Sequence, residues 1–190
     1  MSTSKIIPFI CIVTLFIQCK EQNPSHLLST PTNWKTETLE FPFEFAPDLK
    51  YTGISDIRFA PGWKDAQSME YFSYTFLWAL NENPKLSAKK LETEMASYFF
   101  GLMDMVSPDK LDKQKTNAFF EKVDEHTYIG KVLTHDAFIT KKNIKLNLIV
   151  THSYCPTIKK HYIKFNVSPQ HINHKIWSTL EHITPITPCK

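Results

Sequence analysis

The stretch from Tyr71 to Leu80 constrains the fold most. In an extended chain one side would carry Phe72, Tyr74, Phe76, Trp78 and Leu80, and the other Tyr71, Ser73, Thr75, Leu77 and Ala79. Successive side chains of a strand point to opposite faces. One face is wholly apolar and the other mostly small or apolar, so this segment reads as a central strand covered on both sides.

The segments around it fill in an element order. Phe41, Phe43 and Phe45 alternate with Pro42 and Glu44, a period-two signal for a half-buried strand that Pro42 confines to an edge or a strand end. A short strand is expected near Ile54–Ala60. It leads into Ala60–Trp63, where Pro61-Gly62 suits the centre of a type II turn. Ser87 is placed to cap a helix that runs to Val106. Leu91, Met95, Phe99, Leu102 and Val106 recur at helical spacing, Tyr98 widens their stripe, and Ser107-Pro108 ends the run. Met95, Met103 and Met105 read as core packing more than as a ligand surface.

Four strands are expected near Asn117–Asp124, Thr127–Thr140, Asn143–Tyr154 and Lys160–Val167, joined by short polar turns and therefore antiparallel. Ser168-Pro169 is expected to open a last helix, with Ile172, Ile176, Leu180 and Ile183 as its stripe and Trp177 beside them. The expected fold class is α+β: an antiparallel-rich sheet of about seven strands, a helix after the third strand and another at the C-terminus.

The N-terminus carries a different signal. Lys5 precedes an apolar run from Ile6 to Ile17. A membrane span needs about 20 apolar residues, so this run is too short and fits the apolar region of a secretory signal. It ends at Leu15-Phe16-Ile17-Gln18-Cys19, which resembles the lipobox of bacterial lipoproteins, with Gln18 where that family usually has a small residue. The resemblance implies cleavage after residue 18 and acylation of Cys19, hence attachment to a membrane through a lipid anchor. The implied location is the cell envelope, at the outer membrane of a Gram-negative bacterium, with the face left open. Acyl chains contribute about 0.8 kcal/mol per buried CH₂, so two or three would hold the protein stably. Residues 19–33, rich in Ser, Thr, Asn and Pro, read as a flexible tether, leaving residues 34–190 as one globular domain.

Charge excludes one class of partner. The formal net charge is +3, and Arg58 is the sole arginine. Phosphate and guanine recognition lean on Arg, so no nucleic-acid partner is expected. With Cys11 in the signal and Cys19 acylated, Cys155 and Cys189 remain as an even pair in an oxidising compartment, and a disulfide between them is expected.

No reaction is named by a motif. The only glycines are Gly53, Gly62, Gly101 and Gly130, so no Gly-rich loop can cradle a phosphate, and G-x-S-x-G, H-E-x-x-H and C-x-x-C are all missing. No cofactor is expected. Two constellations remain. If Pro156-Thr157 forms a two-residue turn, His152 lies opposite His161 on one apolar face, and His135 on the preceding strand would be a third metal ligand. Against this, Pro-Thr is poor hairpin chemistry, and imidazoles at a sheet end are commonly just hydrogen-bonded and half exposed. The second constellation is an aromatic cleft between Trp63, the strand carrying Tyr74 and Trp78, and the first helix. It reads either as core or as a site for a small apolar ligand, a lipid or a peptide.

The order strand, strand, strand, helix, four strands, helix is similar to that of the PsbP/Mog1/DcrB-like α/β/α sandwiches. That resemblance implies a small binding or assembly domain and carries over no functional residue. The leading expectation is a non-enzymatic, lipid-anchored envelope domain that binds a protein, a peptide or a small apolar ligand. The alternative is a metal-dependent or other hydrolase built on His135, His152 and His161.

Overall fold

The computed structural model describes residues 26–186 and residue 189. The signal segment and the expected lipidation site, Cys19, lie outside these residues. No helix among the described residues is long and apolar enough to cross a membrane.

Seven strands form one sheet: β1 (Lys35–Glu40), β2 (Gly53–Phe59), β3 (Tyr74–Leu80), β4 (Asn117–Lys122), β5 (Thr127–His135), β6 (Asn143–Cys155) and β7 (Lys160–Ser168). Their order across the sheet is β1-β2-β3-β7-β6-β5-β4, and every neighbouring pair is antiparallel. A helix, α1 (Ala88–Val106), lies on one face, and a short helix, α2 (Ile176–Glu181), on the other. This is the α+β antiparallel sheet with two helices that the sequence predicts.

β3 lies third from one edge, and all seven of its residues are buried. Phe76 and Trp78 face the α1 side, where Phe165 of β7 stacks on Phe76 at 4.4 Å. Leu77 and Ala79 face the other side, under the two chain ends. α1 follows its sequence signals closely. Ser87 Oγ accepts from the Lys90 N–H at 3.1 Å, and Leu91, Met95, Tyr98, Phe99 and Met103 turn down onto the sheet.

Phe41, Phe43 and Phe45 do not form a strand. β1 precedes them as an edge strand with mostly exposed, charged or polar side chains, a composition that protects an edge from further pairing. Pro42 lacks the N–H a ladder would need. The chain therefore leaves the sheet at Phe41, and its rings stack beneath α1: Phe41 on Phe43 at 4.0 Å, Phe43 on Phe45 at 5.0 Å. Gly101 permits this approach, since a Cβ there would lie 1.6 Å from the Phe45 carbonyl oxygen. The turn at Ala60–Trp63 closes through Trp63 N–H to Ala60 O at 2.9 Å, but Gly62 is not in the left-handed region, so it is not type II.

The last helix is shorter than its sequence suggests. Ser168 ends β7 instead of capping a helix. It is buried, and its Oγ lies 2.8 Å from Ser73 Oγ of the neighbouring chain segment. Ile172 is 47% exposed, whereas Ile176, Trp177 and Leu180 of α2 are buried.

The chain ends complete the second face. Within the expected tether Leu27 and Leu28 are packed, so the folded body begins before Trp34. Leu27 and Leu28 are buried with Leu77, Ala79, Cys155, Tyr162 and Ile183. Two side chains on β2 hold them there. Asp56 Oδ2 accepts from the N–H groups of Leu27 (2.6 Å) and Leu28 (2.9 Å). Arg58 donates to both Asp56 oxygens, to the carbonyls of Leu28 and Ile57, and to Thr30 Oγ1. Every guanidinium donor is thereby used. Neither side chain is exposed. The C-terminal segment lies alongside, with Ser29 N–H donating to Thr184 O and Ile186 N–H to Leu27 O, both at 2.8 Å. The Cys155–Cys189 disulfide, Cα atoms 4.6 Å apart across 34 residues of sequence, ties that segment to β6. A loop of that length contributes about 3–4 kcal/mol in the chain-entropy account.

Breaking one half of the buried pair should be severe. Asp56→Asn or Arg58→Met should each lower the unfolding free energy by about 3–5 kcal/mol in urea denaturation, and the double apolar replacement Asp56→Leu/Arg58→Met should cost less than the two single changes summed.

Candidate functional site

A cavity of about 450 Å³ opens between α1 and the β1–β3 half of the sheet. Its floor is Ile57 and Phe59 of β2 with Tyr74 of β3, and its roof is Tyr98, Leu102 and Val106 of α1. Trp63 and Phe72, from the connection between β2 and β3, and Phe138, from the loop after β5, close one end. The ring of Trp63 contacts Phe59, Phe138 and Phe72 at centroid distances of 5.0, 5.4 and 5.5 Å. Phe72 adopts φ 50°, a conformation costly for a bulky residue, and its N–H bonds to Trp63 O at 3.1 Å, holding the ring inward. Exposed Lys35, Glu37, Lys64 and Met105 form the mouth.

The polar groups in this apolar shell are few and under-used. The hydroxyls of Tyr74 and Tyr98, rings 3% and 2% exposed, make no hydrogen bond to a described residue. Burial, followed by the proximity of Tyr98, pushes the Tyr74 hydroxyl well above the ordinary phenol range. Burial and then Glu37 do the same to Tyr98. Both therefore stay protonated and able to donate. Trp63 Nε1 is likewise buried with no hydrogen-bond partner among the described residues. An unpaired buried donor costs about 1–3 kcal/mol.

Of the three aromatics singled out by sequence, Trp63 and Tyr74 line the cavity and Trp78 does not. Trp78 is fully buried, packed against Phe165 at 4.7 Å and Phe41 at 5.4 Å, because the 41–45 rings fill that part of the face. Sequence reasoning missed Phe138 and the lysines of the mouth. Phe138 falls within the strand expected over Thr127–Thr140, but β5 ends at His135, and the lysines carry only ordinary surface charge as a signal.

Phe138 is positioned by Asp136. This buried carboxylate accepts from the N–H groups of Phe138, Ile139 and Thr140, from Thr140 Oγ1 and from the Tyr71 hydroxyl at 2.6 Å. Burial alone would raise its pKa, but Tyr71 and the Thr140 and Ile139 donors together hold it below the ordinary aspartate value. The linkage has a definite sign. The contribution to stability is complete above the unfolded pKa and is lost as pH falls through the lower folded value. Asp136→Asn should therefore be less stable than wild type at neutral pH, and the deficit should shrink as acid unfolding curves are followed below about pH 4.

A second carboxyl, that of the partly buried Glu94, lies outside the cavity lining. Burial raises its pKa against the lowering effects of Tyr51 and Lys90, and Tyr51 Oη donates to it at 2.5 Å, fastening the 41–52 connection to α1.

The histidines do not form the expected trio. β6 and β7 are joined by four residues, Pro156–Lys159, and Cys155 pairs with Lys160. The register is thus two residues away from that of a two-residue turn, and His152 opposes Ile163 while Tyr154 opposes His161. The two rings still meet diagonally, His152 Nε2 lying 3.2 Å from His161 Nδ1. Burial, then His161 and His126, hold the His152 pKa below the ordinary histidine value. His135 pairs with Asn143, whereas His152 N–H bonds to His126 O past the opposite end of β5. At about 3.3 Å per residue the nine residues between them amount to roughly 30 Å. His135, His152 and His161 are therefore not one metal site, and among the described residues no group of three or more His, Cys, Asp or Glu could hold a metal ion.

No protein-family model, no curated protein and no solved structure matches this chain.

Proposed function

We propose that the protein is a non-enzymatic binding domain of the bacterial cell envelope, anchored through an acylated Cys19, and that the aromatic cavity holds a small apolar ligand. The observation that carries this reading is the cavity itself. At about 450 Å³ it falls within the range of ordinary ligand sites. Its walls are apolar, and its lining includes Tyr74 and Tyr98, whose hydroxyls make no hydrogen bond to a described residue. Its lining holds one carboxylate, Glu37, and no histidine or cysteine, a set suited to holding a ligand more than transforming it.

Two features support the envelope part of the reading. The Cys155–Cys189 bridge suits an oxidising compartment. With Leu27 already packed, an acylated Cys19 would keep the body close to the lipid headgroups. The PsbP/Mog1/DcrB-like sandwich belongs to the same proposal, supported by helices on opposite faces of an antiparallel sheet.

Metabolic labelling with palmitate should mark the wild-type protein and leave a Cys19→Ser form unlabelled. Equal labelling of the two would remove the anchor. For the cavity, Nile red, an uncharged apolar fluorophore, should bind wild type saturably at one site. Leu102→Trp, which fills the roof, should weaken binding about tenfold or more while the melting temperature stays within a few degrees. Equal binding by the two proteins would place the dye elsewhere and remove the cavity reading.

A further inference from the structure

We infer that the cavity's ligand is an amphipathic monocarboxylate, with its acyl or aryl body among the aromatic walls and its carboxylate at the mouth by Lys35 and Lys64. This inference rests on the cavity being a ligand site and adds the chemistry of what enters.

The walls set the body. Phe59, Phe72, Phe138 and Leu102 offer nothing to a polar group, and burying one without a partner would cost several kcal/mol on transfer scales. The inner polar groups set the hydrogen-bonding sense of the ligand. Tyr74 and Tyr98 are protonated phenols with no acceptor among the described residues. A ligand that brings an acceptor relieves them, and one that brings only donors leaves them unpaired.

The mouth sets the charge. Lys35 and Lys64 are exposed there and belong to no ion pair among the described residues. Lys64 Nζ lies 5.8 Å from the centroid of the Trp63 ring, which places its charge over the cavity wall. Glu37 is the one opposing charge and acts on the Tyr98 hydroxyl. Two cations against one anion favour an anionic head. A cationic amphiphile would meet both lysines on entering. Glu37 should work against a carboxylate, so its neutralisation should strengthen binding.

Calorimetric titration of the purified full-length mature protein, in detergent-free buffer with each amphiphile below its micellar concentration, separates these effects. The probes are dodecanoate, dodecanol and dodecylamine, which share one chain and differ in the head. Dodecanoate should bind about tenfold tighter than dodecanol, and dodecylamine weakest. Lys35→Gln/Lys64→Gln should bring dodecanoate down to the affinity of dodecanol without changing that of dodecanol. Glu37→Gln should tighten dodecanoate a few-fold, and Leu102→Trp should weaken all three. Equal affinities for dodecanoate and dodecanol in wild type, or a lysine double variant that still prefers dodecanoate, would overturn the carboxylate assignment and leave the cavity as an apolar site. No binding of any of the three chains would overturn the cavity reading along with it.

Discussion

A carboxylate and a guanidinium, two residues apart on one strand and sealed from water, hold this molecule's two faces in register. Asp56 and Arg58 point from β2 toward the chain ends, and Ile57 and Phe59, interleaved with them, belong to the opposite face and line the cavity. A buried ion pair adds little stability over apolar residues of the same size. What it supplies here is position. The oxygens of Asp56 are satisfied only when the N–H groups of Leu27 and Leu28 come to them, and Arg58 has donors left over for Leu28 O and Thr30. The N-terminal segment then offers its backbone to the C-terminal one, and the Cys155–Cys189 bridge completes the cover.

The α1 face follows a different logic. Between the middle of α1 and β3 it is filled by aromatic rings, with Tyr98 stacked on Phe76 at 5.4 Å and Trp78 enclosed. Toward the end of α1, between Leu102, Met105 and Val106 and the β1–β2 edge, space remains. The rings there are held from outside: Phe72 by its backbone bond to Trp63, Phe138 by the Asp136 loop. Two of the rings that close the cavity, Phe72 and Phe138, are thus held by polar anchors outside it and do not fall into the space they bound. That separates this cavity from a packing defect.

Much of this order is legible in the sequence where the signal is local. α1 runs as its cap, its apolar spacing and Ser107-Pro108 dictate. The buried faces of β6 and β7 are also legible, and they survive a register change of two residues because side chains alternate with period two. The partner of His152 does not survive it, since that depends on the length of the loop at Pro156–Lys159. Phe41–Phe45 imitates a strand because three rings entering one core can share the spacing of a sheet face. Ser168 resembles a helix cap because a serine before proline suits either role until Ser73 claims it. The Asp56–Arg58 clamp leaves no sequence signal, as its partners lie about thirty residues away. For the same reason Trp63, Tyr74 and Trp78 look alike in the chain. Which of them borders empty space is decided by the 41–45 rings and by Phe138, both distant in sequence.

The position of a bound amphiphile's chain distinguishes a cavity ligand from a surface adsorbate. Intermolecular nuclear Overhauser effects between bound dodecanoate and the protein would locate it directly. Contacts from the chain protons to the rings of Trp63, Tyr74, Tyr98 and Phe138 are predicted. Contacts instead to Phe119 and Ile129, exposed on the outer face of β4 and β5, would contradict the account by making the ligand a surface adsorbate on the far side of the sheet.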